Sequence, residues 1–332
     1  CAAFERLMRR WGGGWHCWKN VCEMRVTPEA LLVGIDLGGT KTEGVVMRPC
    51  GTEVLRHRVP TVKGDYTATL ATIADLVGTL AQKTGYPITR VGVGIPGSIA
   101  PNTGKVRNAN STWINGQPLP DDLAAMLGVP LRFANDANCL ALSEFRDGAA
   151  IGCSSVFAAI LGTGVGGGLI LNGALVEGAH GLGGEWGHVP LAQESELPPC
   201  FCGGFGCNEQ FLSGPAIVRD FVASGGTAIR PEQIVELAQG NDRLAKQVLA
   251  RHLDRLGRAI GAIVNVFDPQ VIVLGGGISN LAGLAKALPE VIAANLFTPL
   301  EDRFQPDIRL AKWGDSSGVR GAARLWEQEI EH

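Results

Sequence analysis

Four side chains suited to one metal ion lie close together in this 332-residue sequence: His188, closing the run GGEWGH, and Cys200, Cys202 and Cys207. The pattern Cys-x-Cys-x4-Cys, with a histidine twelve residues upstream, supplies the ligands of a closed Cys3His zinc site. A disulfide is the competing arrangement. Without a secretory signal, a reducing compartment is expected, and there clustered thiols bind metal more often than they pair. Four protein ligands leave no open coordination position, so the zinc is expected to be structural and to pin the loop carrying Glu185 and Glu209.

Two acids stand where catalytic carboxylates would be useful. Asn135-Asp136-Ala137-Asn138 follows the apolar LRFA and precedes CLALSEF, which places Asp136 at a strand end where a helix begins. A helix N-terminus keeps such a carboxylate ionised, and it can take the proton of an attacking hydroxyl. An ordinary helix cap explains the same residues, and the local sequence alone favours the cap. Asp36 closes the first apolar run beside a glycine turn. There it can help hold hydrated Mg²⁺ near phosphates, or simply cap the turn.

The elements that position these groups are read from the glycines, 46 in all, roughly twice the usual share. LLVGID, the turn LGGTK and the run EGVVM make a strand-turn-strand unit, and VFAAIL, GTGVGGG and LIL repeat that plan over 156–171. Asn172-Gly173 adds a tight hairpin signal. The repeat suggests two related α/β lobes, each offering one glycine loop to a shared cleft. Backbone N–H groups without a neighbouring Cβ can cradle phosphate oxygens, although either loop alone could be a plain hairpin turn. Gly34 to Lys41 lacks the Gly-Lys-Thr order of a Walker loop. Gly162, Gly164 and Gly167 spell GxGxxG, but a hairpin follows instead of a helix, which argues against a dinucleotide fold.

Further along, Asp268-Pro269, the strand VIVL and GGGISN form a βα unit suited to a nucleotide's sugar or base, with a helical stretch expected from Leu281. Leu253, Leu256, Ile260, Ile263, Val264 and Phe267 recur at helical spacing and are expected in a core. Asp315 to Gly318 precedes Val319–Trp326, a capped packing helix by its pattern.

Composition sets the outer limits. The length exceeds that of a single growing core, 45% hydrophobic residues exclude extended disorder, and a net charge of -3 without a basic stripe offers no attraction for nucleic acid or an anionic membrane. No apolar run reaches the roughly 18 residues of a membrane span, and a cytoplasmic location is expected. Residues 1–28, with three Trp, three Cys and no signal-peptide hydrophobic region, read as an extension outside the fold. Met24 is a candidate native start, with an irregular N-terminal arm as the alternative.

Taken in order, LLVGIDLGGTKTEG, NDAN, ILGTGVGGG, GEWGH, CFCGGFGCNE and VIVLGGG resemble the ROK family of sugar kinases across about residues 31–326. That resemblance implies an α/β, two-lobed actin/hexokinase-like (ribonuclease H-like) ATPase fold with an interlobe cleft and a zinc-binding loop. Residues 31–137 plus 313–332 would form the small lobe and 138–312 the large one. It further implies Asp136 as catalytic base, with Asn135, Glu185, His188 and Glu209 on sugar hydroxyls. Gly34, Asp36, Gly38, Gly39, Thr40, Lys41, Gly162, Thr163 and Gly164 would hold phosphates, and Gly275, Gly276 and Gly277 would lie along the adenosine. ATP, Mg²⁺ and structural Zn²⁺ are the implied cofactors, a free hexose the partner, and a homodimer is allowed.

Within the family, NANSTWINGQP at 108–118, the NDANCLALSE run and GDSSGVRGAARLW are most like bacterial fructokinases that also accept mannose. Asn110, with Asn108, Thr112 and Trp113, is then a sugar-proximal loop, or else a polar turn. GTGVGGGLILNG is also similar to N-acetylglucosamine kinases of the family. The expected reaction is thus ATP-dependent phosphorylation of fructose, with N-acetylglucosamine as the alternative substrate. A sugar-responsive transcriptional regulator is the alternative of another class. The roughly 30 residues before the first strand are too few for its helix-turn-helix module.

Overall fold

The computed structural model describes residues 31–329. The expectations for 1–28, including Met24, lie outside the described residues, as do the last three positions of 313–332. Strands β1 (Leu32–Leu37) and β2 (Lys41–Met47) form a hairpin that β3 (Glu53–Pro60) extends. After helix α1 (Tyr66–Thr84), β4 (Val91–Ile95) returns parallel to β1. A ribbon of β5 (Ser98–Ile99) and β6 (Val106–Arg107) and helix α2 (Leu119–Leu127) lead to β7 (Leu131–Asn135), parallel to β4. The sheet order is β3-β2-β1-β4-β7.

Helix α3 (Asp136–Asp147) then carries the chain to a second sheet. Its members are β8 (Ser155–Leu161), β9 (Val165–Leu171), β10 (Ala174–Leu175), β11 (Val271–Gly275) and β12 (Ile308–Leu310). Their order is β10-β9-β8-β11-β12, the same plan strand for strand, with antiparallel hairpins first and parallel returns after. Between β10 and β11 run the cysteine-bearing loop and helices α4 (Glu209–Leu212), α5 (Gly214–Ala223), α6 (Pro231–Gln239) and α7 (Arg243–Phe267). Helix α8 (Leu284–Ala293) precedes β12, and α9 (Ser317–Ala323) follows it.

Local chemistry accounts for these boundaries. Asp65 caps α1 by accepting the Ala68 N–H at 2.9 Å, and Gly85 ends it in the left-handed region at φ 70°. Asn172 and Gly173, at φ 50° and 82°, make the tight β9–β10 turn. Ile35, Val93 and Ile95 of the first sheet pack on Ile73, Leu76 and Leu80 of α1; Phe157, Ile272 and Leu274 pack on Leu256 and Ile260 of α7. Of the α7 face, Leu256, Ile260 and Val264 are buried, while Leu253, Ile263 and Phe267 are partly covered.

A third core joins the sheets through α3 and α9, with Leu140, Leu142, Val156, Val273 and Ala322. Helix α9 lies against β1, β4 and α3 at once. Glycines permit this closeness, since a Cβ on Gly92 would stand 1.8 Å from the Ala322 carbonyl oxygen and one on Gly321 1.7 Å from that of Cys139.

Two elements differ from the sequence reading. The last helix begins at Ser317 and tightens to a 3-10 turn after Ala323. No serine side chain caps it; the Ser317 hydroxyl instead donates to buried Glu144 at 2.9 Å, and that carboxylate also accepts the N–H groups of Ala149, Lys312 and Trp313. Within GGGISN, a 3-10 turn over Gly277–Asn280 delays the helix to Leu284, where left-handed Gly283 permits the change of direction.

Candidate functional site

The two β-hairpin turns hold equivalent places, each between the first two strands of its sheet. In the first, the Gly38 N–H donates to the Lys41 carbonyl at 3.0 Å, and the Thr61 hydroxyl donates to the Gly38 carbonyl at 2.7 Å. Gly39 and Thr40 are exposed at the tip, and the Lys41 ammonium lies 3.4 Å from Asp315. In the second, the Gly162 N–H donates to the Gly164 carbonyl at 3.0 Å and the Gly214 N–H to the Gly162 carbonyl at 2.8 Å. A Cβ on Gly162 would meet nothing, so a ligand can approach this backbone closely; one on Gly164 would stand 2.7 Å from Glu209 Oε2.

Beyond Gly162 and Thr163 lies a cavity of about 830 Å³ between Gly214-Pro215, Arg230 to Gln233, and Gly277-Ile278, ample for a nucleoside. Of the glycines expected beside the adenosine, only Gly277 lines it. Gly275 is buried at the end of β11, where a Cβ would stand 2.5 Å from Leu140, and Gly276, at φ 83°, is pressed against the Leu161 carbonyl. Gly34, expected at the phosphates, sits inside β1, where a Cβ would stand 2.4 Å from α9 backbone atoms. These three glycines serve close packing. The sequence reading missed Gly214, Pro215 and Arg230 to Gln233; the Ser213-Gly214-Pro215 and Arg230-Pro231 helix starts were the available signal.

Asp136 is the first residue of α3, its Oδ1 accepting the Ala137 N–H at 2.8 Å. Its carboxylate is open to the cleft yet deep in the molecule, and this desolvation, with the charge of Glu185, pushes its pKa up to about 6 despite the backbone hydrogen bond. Asp36 is pushed up to about 7, by burial first and then by Asp136 and Glu43, with Lys41 and Arg58 opposing. The two aspartates therefore share one space. A divalent cation between them and the phosphates would relieve their crowding, which is the donor chemistry hydrated Mg²⁺ requires.

Around Asp136 the structure gathers most of the expected sugar residues. Asn135 donates to the Gly97 carbonyl at 3.1 Å, accepts the Ala137 N–H, and lines with Glu185 a pocket of about 170 Å³. Burial raises the Glu185 pKa; Glu209 adds to that rise, while His188 and Arg107 oppose it. Glu209 Oε2 accepts the Val165 N–H at 3.0 Å, tying the cysteine loop to the second glycine turn. Asn110 is exposed on the loop after β6, next to Ser111, whose hydroxyl faces Gly39 across 3.7 Å from the position of a Cβ there.

The ligating atoms of His188, Cys200, Cys202 and Cys207 all lie within 4.8 Å of one another, and the three thiols are free. Cys202 Sγ to Cys207 Sγ is 3.6 Å, and Cys200 Sγ to His188 Nδ1 is 3.6 Å. A zinc tetrahedron with Zn–S about 2.3 Å and Zn–N about 2.0 Å has edges of about 3.5–3.8 Å, so the residues fit the ion. Coordination through Nδ1 leaves the other ring nitrogen of His188 for a sugar hydroxyl. The loop is anchored to β9 by Trp186, whose ring N–H donates to the Gly166 carbonyl at 2.7 Å, and Asn208 donates to the Trp186 carbonyl at 2.8 Å.

A glycine hairpin turn in each sheet, a nucleoside-sized cavity and an aspartate at a strand-to-helix junction fit a two-lobed phosphotransferase. The ROK family pattern matches residues 32–329, and the chain belongs to that family as a sugar kinase. It is similar to an N-acetyl-D-glucosamine kinase of Haemophilus influenzae, 36% identical over 305 residues covering 89% of this chain and 99% of the relative. Among solved structures, the ROK hexokinase of Thermus thermophilus superposes with a TM-score of 0.79 at 31% identity, covering 88% of this chain and 96% of that one. A ROK glucokinase of Streptomyces griseus, in complex with glucose and AMPPNP, gives 0.75 at 28% identity, covering 89% and 98%.

Proposed function

We propose that the protein transfers the γ-phosphoryl group of ATP to a hydroxyl of N-acetylglucosamine. The observation that carries the substrate is the relationship to N-acetylglucosamine kinases along nearly their whole length, which favours this sugar over fructose or mannose.

The nucleoside lies in the cavity beside Gly277, and the amides of Gly162 and of the Gly38–Lys41 turn hold the phosphates. Asp36 would hold hydrated Mg²⁺, which would supply charge neutralisation at the phosphates. Asn135, Glu185, His188 and Glu209 fix the sugar, and Asp136 accepts the hydroxyl proton as the oxygen attacks phosphorus. His188, Cys200, Cys202 and Cys207 would hold zinc, which would supply a structural anchor for the loop. The lobes, 31–137 with 313–329 and 138–312, close on the sugar and exclude water. Among the described residues no helix is long and apolar enough to cross a membrane.

A coupled ADP-release assay across N-acetylglucosamine, fructose, mannose, glucose and N-acetylmannosamine tests the reading. N-acetylglucosamine is expected to give the highest kcat/KM by at least tenfold. A fructose value above it would return the assignment to fructokinase.

A further inference from the structure

The two glycine turns share a device that their sequences do not. In each, the carbonyl of the first turn glycine is tied back by a donor from later in the chain: the Thr61 hydroxyl holds the Gly38 carbonyl at 2.7 Å, and the Gly214 N–H holds that of Gly162 at 2.8 Å. No peptide bond among the described residues is cis, and across a trans peptide the carbonyl and the following N–H point to opposite sides. Each tie therefore fixes the direction of one amide, turning the Gly39 N–H away from Thr61 and the Thr163 N–H away from Gly214. Both residues are exposed, and neither N–H has a hydrogen-bond partner among the described residues. Thr163 lines the nucleoside-sized cavity.

An untied glycine peptide can turn over at little steric cost, and the reversed peptide would present a carbonyl oxygen to an anion in place of a donor. The tie selects the orientation that binds an anion. In the first turn that tie is a single side-chain atom. Thr61 already joins the turn through its own N–H, which donates to the Thr40 carbonyl at 3.1 Å, so the hydroxyl bond is not what attaches this segment. The hydroxyl proton is committed to Gly38, and the 2.9 Å contact with Thr42 Oγ1 is then donated by Thr42, which orders a buried chain from Thr42 to Thr61 to the Gly38 carbonyl. We propose that Thr61 is a positioning residue for phosphoryl transfer, holding the Gly38–Gly39 peptide so that the Gly39 N–H donates to a phosphate oxygen of ATP. This rests on ATP as the phosphoryl donor and not on which sugar accepts.

Thr61→Val removes the hydroxyl at nearly constant shape, and Thr61→Ser keeps it. With each full-length variant and the sugar that the wild type uses best, the KM for ATP and the KM for the sugar are measured separately. Thr61→Val is expected to raise the KM for ATP about tenfold and to leave that for the sugar within about twofold, while Thr61→Ser stays within about threefold of wild type on both. A threonine that only stabilised the fold would not separate the two substrates. An unchanged ATP KM in Thr61→Val, an equal rise in both KM values, or a serine variant as impaired as the valine one would overturn the assignment while leaving the kinase reading intact. Wild-type protein that transfers no phosphoryl group from ATP to any sugar tested would instead remove the reading on which it rests. NMR of the isotope-labelled wild type gives a readout independent of variant folding. On titration with Mg²⁺ and a non-hydrolysable ATP analogue, the Gly39 amide proton should shift downfield by more than that of Gly38, whose N–H is held by the Lys41 carbonyl. A Gly39 signal that stays in place at saturating analogue would contradict the proposal.

Discussion

The two sheets share a strand plan but equip their first hairpins differently. In the first, Asp36 precedes the turn, pairs across the strands with Glu43, and is followed by Lys41. In the second, the aligned stretch Ile160 to Gly164 is uncharged, and its carboxylate, Glu209, comes from the cysteine loop inserted after β10. The junctions after the fifth strands diverge as well. Following β7, Asp136 opens α3 towards the cleft; following β12, Ser317 opens α9 and turns its hydroxyl to buried Glu144. One architecture thus yields a half with a charged hairpin and a half with a neutral one, which the proposed mechanism uses for metal and proton transfer and for the nucleotide respectively. The metal loop lends the second half the carboxylate that its own strands lack.

Removing the junction acid should break this asymmetry most severely. Asp136→Asn is expected to lower kcat by roughly a hundredfold or more with little change in ATP affinity, measured by steady-state kinetics and nucleotide titration. Turnover within tenfold of wild type would place the base elsewhere. The metal loop comes next. Elemental analysis should find one zinc per chain, and Cys207→Ser should lose it, lower Tm by several degrees and reduce kcat/KM at least tenfold through displaced Glu209 and Glu185. Full activity without metal would uncouple that loop from the site.

The glycine turns separate approach from packing. Gly162→Ala, with open space at its Cβ, should raise the KM for ATP about tenfold without changing Tm. Gly276→Ala, at φ 83° and against Leu161, should lower Tm instead, by the equivalent of roughly 1–3 kcal/mol. Equal behaviour of the two variants would contradict the roles given to them. The smallest effect is the pH dependence. The Asp136 carboxyl, raised to about 6, must be ionised to accept a proton, so kcat should fall towards tenfold per unit as pH drops below about 6 and level off above it. A flat profile from pH 5 to 7 would mean that proton acceptance by Asp136 does not limit the rate.

Much of this was legible in the sequence because it depends on local pattern. The repeat of strand, glycine turn and strand gave both hairpins, and His188 with the three cysteines gave a cluster whose spacing fits a tetrahedron. Packing at a distance was not legible. Gly34, Gly275 and Gly276 share their residue type with the phosphate-turn glycines, and only the approach of α9, Leu140 and Leu161 shows that they answer to contacts far along the chain. The same holds for Arg230 to Gln233, which reach the nucleoside cavity through the packing of α6.

The central claim is that Asp136 takes the proton of the hydroxyl that attacks the γ-phosphate. A crystal structure with N-acetylglucosamine and a non-hydrolysable ATP analogue tests it most directly. An Asp136 carboxylate oxygen should stand about 2.6–3.2 Å from the sugar oxygen aligned with the γ-phosphorus. A separation beyond about 5 Å, with Glu185 or Glu209 in contact with that oxygen instead, would contradict it.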